Sequence, residues 1–439
     1  MDKHALRERI YKTLLELVTE EGINASGKDE LYGCIFGRDS AITVLKILRV
    51  TSLPKASSYF DIRRLHDICK TTLLTLVSLQ GKKSVIASGE EPGKFIHEFR
   101  KDRYEHLLKS AKPWYVYPDG YIRNYDSLDA TPLALIAIYR YWKQTRDDSF
   151  LLRVISAVES GLNWIISYAD KDKDYLVEYE LPRDRTYGGL SVQSWTDSYE
   201  SIQRPDGKLP PYPIAPVEVQ GYTWLALKLW SDYYRRTDLT MARTQKFADK
   251  LDRHAENMRR QFNRLFLYKD QGYIFPAQAL DGTKKQIRTV TGNSLLLLWA
   301  TYSKNGDKHS ILDDAFVSDL VKRSFLPDLF DKDGGVRTMS TLSPTFNPGR
   351  DSYHNGSFWP KLNGMSFEGL QTWGFIEEAK LLADASLRPL SYFGTPIELY
   401  IKGEDGNYYE FCGRNGQKGC RKQAWSAASA LELLTTSVS

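Results

Sequence analysis

Residues 129–147 read DATPLALIAIYRYWKQTRD, and SFLLRVISAVESGLNWIISYAD follows almost at once over 149–170. Both stretches carry apolar side chains at three- and four-residue spacing, the period of an amphipathic helix. The first opens on Asp129, a helix-start residue, with Thr131 and Pro132 in the opening turn, where proline is tolerated. Two helices with so little chain between them form a pair. The pattern recurs at 4–22, 39–50 (opening on the cap Asp39), 63–81, 217–236, 241–266, 292–303, 311–325, 356–385 and 421–436. Convincing strands are few.

Between the helical stretches lie long loops rich in Gly, Pro, Asp, Tyr and Trp, at 112–126, 183–197, 204–216, 340–360 and 403–420. Long ordered loops in a compact domain are usually functional. Helix pairs joined by alternating short and long connections predict an all-α toroid, an (α/α)6 barrel, with the aromatic loops building a pocket at one end. An irregular helical solenoid would show a fixed repeat, and none is evident. No break in composition divides the chain, so residues 1–439 are read as a single domain.

The composition is that of a soluble protein with a substantial core: 42% hydrophobic and 26% charged. Net charge is +5, but the basic residues are scattered singly, which argues against a nucleic-acid surface. Cys34, Cys69, Cys412 and Cys420 form no CxxC pair, so no metal and no cofactor is expected. The N-terminus does not read as a signal peptide, and apolar runs such as SLLLLWATY are too short to span a bilayer. A cytoplasmic protein with reduced thiols and no membrane partner is the expectation, with oligomeric state undetermined. Aromatic residues reach 13%, with 10 Trp and 27 Tyr. Their apolar faces and polar edges suit sugars, which stack and hydrogen-bond together.

The sequence QSWTDSYESI (193–202) sets Asp197 between Trp195 and Tyr199. From the residues alone Asp197 is either a helix cap or a carboxylic acid walled by rings. FGRDS (36–40), PGKFIHEFR (92–100), YDSLDATPLALIAIYRYW (125–142), LSVQSWTDSYESI (190–202), PIAPVEVQGYTWLAL (213–227), GGVRTMS (334–340), NPGRDSYHNGSFWP (347–360) and QAWSAASA (423–430) occur in that order. With these stretches the chain resembles the amylo-α-1,6-glucosidase domain of glycogen debranching enzymes. It is more distantly similar to glucoamylases and other inverting glycosidases.

The resemblance implies the following roles. Asp197 is the general acid, with Glu200 a rival and Thr196 standing where the family pattern usually has Lys. Arg38 and Asp39 grip hydroxyls of the deepest sugar; a fork of donors beside an acceptor suits vicinal hydroxyls. His97, Glu98 and Asp129 contact substrate, and Glu218 and Gln220 are sugar ligands at a helix start. Trp195, Tyr353, His354, Asn355 and Trp359 line the subsite. The general base lies in the C-terminal loop, where Glu410 is preferred and Glu398, in TPIELY, is the rival.

The implied activity is inverting, exo-acting hydrolysis of a terminal α-linked glucosyl or similar residue. The additional glycogen-positioning domains of debranching enzymes are not seen in this sequence, which points to oligosaccharides or small glucosides such as trehalose or glucosylglycerate. The rivals are a sugar epimerase on the same toroid, using His97 and His354, and a carbohydrate-binding relative without catalysis.

Overall fold

The computed structural model describes residues 2–236 and 242–436. Met241, expected to open a helix, lies outside them. Among the described residues thirteen α-helices follow in chain order. The first six are α1 (Lys3–Glu16), α2 (Gly37–Thr51), α3 (Ile62–Ser78), the short α4 (Glu105–Leu108), α5 (Ala130–Thr145) and α6 (Asp148–Trp164). Then come α7 (Val217–Arg236), α8 (Ala242–Leu265), α9 (Leu296–Trp299), α10 (Val317–Ser324), α11 (Pro360–Trp373), α12 (Ile376–Phe393) and α13 (Ala424–Thr436). Helix makes up 46% of the structure and strand 12%.

Six helices form a closed inner ring. α2 packs on α5, α5 on α7, α7 on α9, α9 on α11, α11 on α13, and α13 back on α2. Each has an outer companion: α3 on α2, α6 on α5, α8 on α7, α12 on α11 and α1 on α13, while α10 packs on the 3-10 turn Gly292–Leu295 that enters α9. This is the (α/α)6 toroid. The sequence pattern explains the two rings. α3 buries Leu65, Ile68, Cys69, Thr72, Leu73 and Leu76, one stripe of an amphipathic helix. α2 buries every residue from Gly37 to Leu48, because it is covered on all sides.

Two expectations change. GNSLLLLWATYS forms only a 3-10 turn and the single-turn α9, because Thr301 leads directly into a hairpin, Tyr302–Lys304 with Asp307–His309. Apolar stretches are also longer than expected. α6, continued by a π turn to Ala169, is long and apolar enough by length and composition to cross a membrane. Here it lies in the outer ring against α3 and α5.

The strands are short and sit in the loops. Ile35–Phe36, Glu98–Arg100 and Ile122–Asn124 form an antiparallel sheet that sets the entry to α2. Gly37 follows it at a close approach: a Cβ there would lie 1.9 Å from the Ile96 carbonyl oxygen. A second hairpin, Tyr400–Lys402 with Tyr408–Glu410, rises from the C-terminal loop.

Away from the loops, the ring is tied by charge. Lys46 of α2 is fully buried. Its Nζ donates to the Gly364 carbonyl at 3.0 Å and to Glu368 at 3.1 Å on α11, and it pairs with Glu432 on α13. Arg140 of α5 and the Trp299 indole of α9 also donate to Glu368. Such a network adds little net stability, but deleting one member strands the others in a low-dielectric core. Lys46→Met should therefore destabilise the protein by roughly 3–5 kcal/mol. Urea unfolding would show this as a lower midpoint at unchanged slope.

Candidate active site

All six inner helices begin at the same end of the ring. A cavity of about 220 Å³ opens there. Arg38 and Asp39 of α2, Trp359 at the N-cap of α11, and Gln423 and Trp425 at the start of α13 line it. Asn293, in the turn entering α9, accepts a hydrogen bond from the lining residue Trp195 at 3.1 Å. Helix N-termini carry partial positive charge, so this end favours carboxylates. A larger groove of about 830 Å³ elsewhere is lined by Arg264, Lys285, Arg288 and Arg323, with Asp270 as its one acidic residue. It offers no pair of carboxylates for acid–base work.

Arg38 organises the cavity floor. Its Nε donates to both oxygens of Asp129, at 3.0 and 2.8 Å. Nη2 donates to the Ser194 carbonyl at 2.9 Å, and Nη1 donates to Asp197 Oδ2 at 3.1 Å. Asp197 therefore caps no helix; it sits in a loop, with its carboxyl held by a buried guanidinium. Burial pushes that carboxyl up to about 6, against the opposing pull of Arg38. Trp195 lines the cavity beside it, but Tyr199 is 54% exposed and walls nothing. His354 takes that place: it lines the cavity, and its Nδ1 is hydrogen-bonded to the Ser198 hydroxyl at 2.8 Å.

The second cavity carboxylate is Glu398, not Glu410. Glu398 is buried at the root of the C-terminal hairpin. Its Oε1 accepts from the Tyr353 hydroxyl at 2.5 Å, and its Oε2 accepts from the Cys420 N–H at 2.7 Å. Burial raises it to about 7. Glu410 lies opposite Tyr400 at the end of the returning strand and pairs with Arg421 at 2.6 Å. It lines a separate surface depression. Both glutamates lie near the base of the hairpin, but Glu410 is paired with Arg421 at a separate depression, and only Glu398 lines the cavity.

Rings and neutral imidazoles form the wall. His354 stacks on Trp359 with centroids 4.7 Å apart, and Trp195 meets both rings edge-on. Burial and Arg38 hold His97 and His354 well below the usual histidine range. Glu98 lines the cavity paired to Arg100. Asp39 accepts from the Gln423 amide at 3.0 Å, and burial raises it to about 8.

Other expected ligands lie elsewhere. Asp129 is beneath the floor, and its cap role passes to the Ser127 hydroxyl, which accepts from the Ala130 N–H. Asp39 likewise makes no cap; it lies inside the first turn of α2. Glu218 is fully buried, with the Ser194 hydroxyl beside it but neither oxygen in a well-shaped hydrogen bond. Gln220 is a structural tie, bonded to the Val177 N–H and carbonyl and to the Pro216 carbonyl. Asn355 braces its own loop through Ser352 and the Thr345 carbonyl. The cavity also uses Tyr32, Trp114 and Gln417, which no motif marked, while Gln423 and Trp425 sat in QAWSAASA.

Lys361 was also unforeseen. Its buried Nζ lies 3.9 Å from the Trp195 ring centroid without a hydrogen-bond acceptor, and desolvation lowers its pKa. Among the described residues, Asp170, Asp172 and Asp174 come close enough to hold a metal. The Lys284 ammonium sits against two of them, 2.8 Å from Asp172 and 2.9 Å from Asp174.

Buried carboxyls with raised pKa values, Asp39, Asp197 and Glu398, set among aromatic rings at the mouth of an (α/α)6 toroid, are the equipment of a glycoside hydrolase. Residues 75–432 match the family model described as amylo-alpha-1,6-glucosidase, and the chain belongs to that family. Solved structures of similar fold include the GH63 mannosylglycerate hydrolase of Thermus thermophilus, in complex with Tris. It is 14% identical with TM-score 0.65, the match covering 98% of this chain and all of that one. The same enzyme in complex with glucose gives TM-score 0.63 at 14% identity, with 98% and 100% coverage. A metal-independent alpha mannosidase from Streptococcus pneumoniae, in a non-productive complex with alpha-1,6-mannobiose, gives 0.59 at 15% identity, covering 98% of this chain and 93% of that one. No curated protein matches the sequence.

Arg38→Met would leave Asp129 buried without its cation. The variant should lose roughly 3–5 kcal/mol of stability, read as a lower urea midpoint. An unchanged midpoint would show that Asp129 is held by other means.

Proposed function

We propose that the protein is an inverting, exo-acting glycosidase that removes a terminal α-linked glucosyl or mannosyl residue from a small glycoside. Asp197 is the general acid and Glu398 the general base. The observation that carries this reading is the different bonding of two carboxyls in one cavity. Asp197 Oδ2 is held by Arg38, while among the described residues no other side chain donates to Oδ1, which can carry the transferable proton. Both oxygens of Glu398 accept hydrogen bonds, which favours the ionised form a base needs.

In the proposed reaction the Asp197 proton passes to the glycosidic oxygen as the bond to the anomeric carbon breaks. Glu398 takes a proton from a water that attacks the opposite face of the ring. An inverting pair stands about 6.5–9.5 Å apart to admit that water. The small cavity at the end of a closed ring supports removal of one terminal sugar. The mannose alternative to glucose is suggested by the mannosylglycerate hydrolase and the alpha mannosidase of similar fold. An epimerase would need a histidine proton donor, and His97 and His354 are both held neutral.

Activity should rise with pH as Glu398 ionises and fall as Asp197 loses its proton. Because the two share one cavity they titrate as a pair. A bell-shaped rate profile is expected, with its maximum between about 6 and about 7; because Glu398 holds its proton more tightly than Asp197, the reactive form, Asp197 protonated with Glu398 ionised, is a minority of the pair at every pH.

Substitution separates the roles. Glu398→Gln should lower kcat by about 10²–10⁴ on every substrate. Asp197→Asn should do the same on alkyl glycosides but far less on aryl glycosides, whose leaving groups need no proton. Glu410→Ala should leave kcat unchanged. Loss in the Glu410 variant with survival of the Glu398 variant would overturn the base assignment.

A further inference from the structure

We infer that the group released from the sugar is uncharged, so the protein acts on neutral glycosides and discriminates against those whose aglycone carries a carboxylate. This rests on the glycosidase reading and narrows its substrate class.

Charge balance at the cavity sets this preference. Four carboxyls line it, Asp39, Glu98, Asp197 and Glu398, of which Asp39 is held largely protonated and Asp197 is protonated in the reactive form; against them stand two guanidiniums, Arg38 and Arg100. Both guanidiniums are committed. Arg38 is bonded to Asp129, Asp197 and the Ser194 carbonyl. Arg100 pairs with Glu98 and donates to the Leu31 carbonyl. The Lys361 ammonium is not among the lining residues; it lies over the Trp195 ring.

The aglycone must leave past Asp197, toward the solvent-reaching part of the cavity. Its rim is made by His106, Leu107, Trp114, Leu190 and Gln417. Partial burial and Arg100 depress the one ionisable group among these, the His106 imidazole. The rim therefore offers a ring, apolar surface and an amide, but no lasting cation. A carboxylate there would face the ionised Glu398 with no unpaired cation among the cavity's lining residues to receive it. It would also raise the pKa of Glu398 and oppose the ionisation that the base requires. Hydroxyls suit the same rim: Trp114 supplies a stacking face and Gln417 both a donor and an acceptor.

The test uses three matched leaving groups of nearly equal size: glycerol, glycerate and glyceramide. Each is joined to α-glucose, α-mannose and α-galactose. Release of free sugar gives kcat/KM for the wild-type protein, and calorimetry gives binding of the same compounds. Within the accepted sugar, the glycerol and glyceramide conjugates should exceed the glycerate conjugate by at least about tenfold in kcat/KM. The glyceramide arm separates charge from bulk. Gln417→Lys should narrow the gap, because it places a cation at the rim. Equal or better use of the glycerate conjugate would overturn the inference while leaving the glycosidase reading intact. Failure of the whole panel to be cleaved or bound would instead overturn the glycosidase reading, and this inference with it.

Discussion

The buried guanidinium of Arg38 is the interaction on which the site depends. It enters from the first turn of α2 and reaches the start of α5 through Asp129 and the loop before Ser198 through Ser194 and Asp197. One side chain thus fixes three segments distant in sequence. Its electrostatic role is equally direct. Desolvation alone would raise the Asp197 pKa further, while the neighbouring positive charge pulls the other way. The balance leaves the carboxyl at about 6. A group so placed can give up a proton and recover it at ordinary pH.

The ring supplies the rest of the setting. Closing six inner helices with their N-termini at one end gathers partial positive charge where carboxyls are buried. The loops that join the helices at that end bring the rings and the second carboxyl. The opposite demands on the two parts explain their sequences. The ring must be packed tightly and is mostly apolar, with the Lys46 network as a charged tie. The loops must hold polar groups out of water and do so through specific bonds, such as Tyr353 and Cys420 on Glu398. Substrate preference lives in those loops rather than in the fold.

The fold was legible in the sequence because helical periodicity survives wherever one face is apolar, as in α3 and α6. It was less legible where burial is complete: GNSLLLLWATYS looks like a longer helix than the single turn it forms. Within the site, motif order brought out Arg38, Asp39, Trp195, Asp197 and Trp359, all of which line the cavity. It could not tell which polar residue of a motif faces inward. Gln220 and Asn355 turn to backbone groups instead, and Asp129 gives its cap to Ser127. The choice between Glu398 and Glu410 depends on where a hairpin begins, and chain spacing does not report that. Tyr32 and Gln417 reach the cavity only through the tertiary fold.

In the proposed reaction two carboxyls act from opposite faces of one sugar ring. Proton NMR of the first turnovers on a panel of α-glucosides and α-mannosides reads the stereochemistry of that step. The β anomer of the free sugar is expected to appear first and then mutarotate. First appearance of the α anomer would mean retention, with a covalent intermediate in place of a water activated by Glu398, and would contradict that reaction.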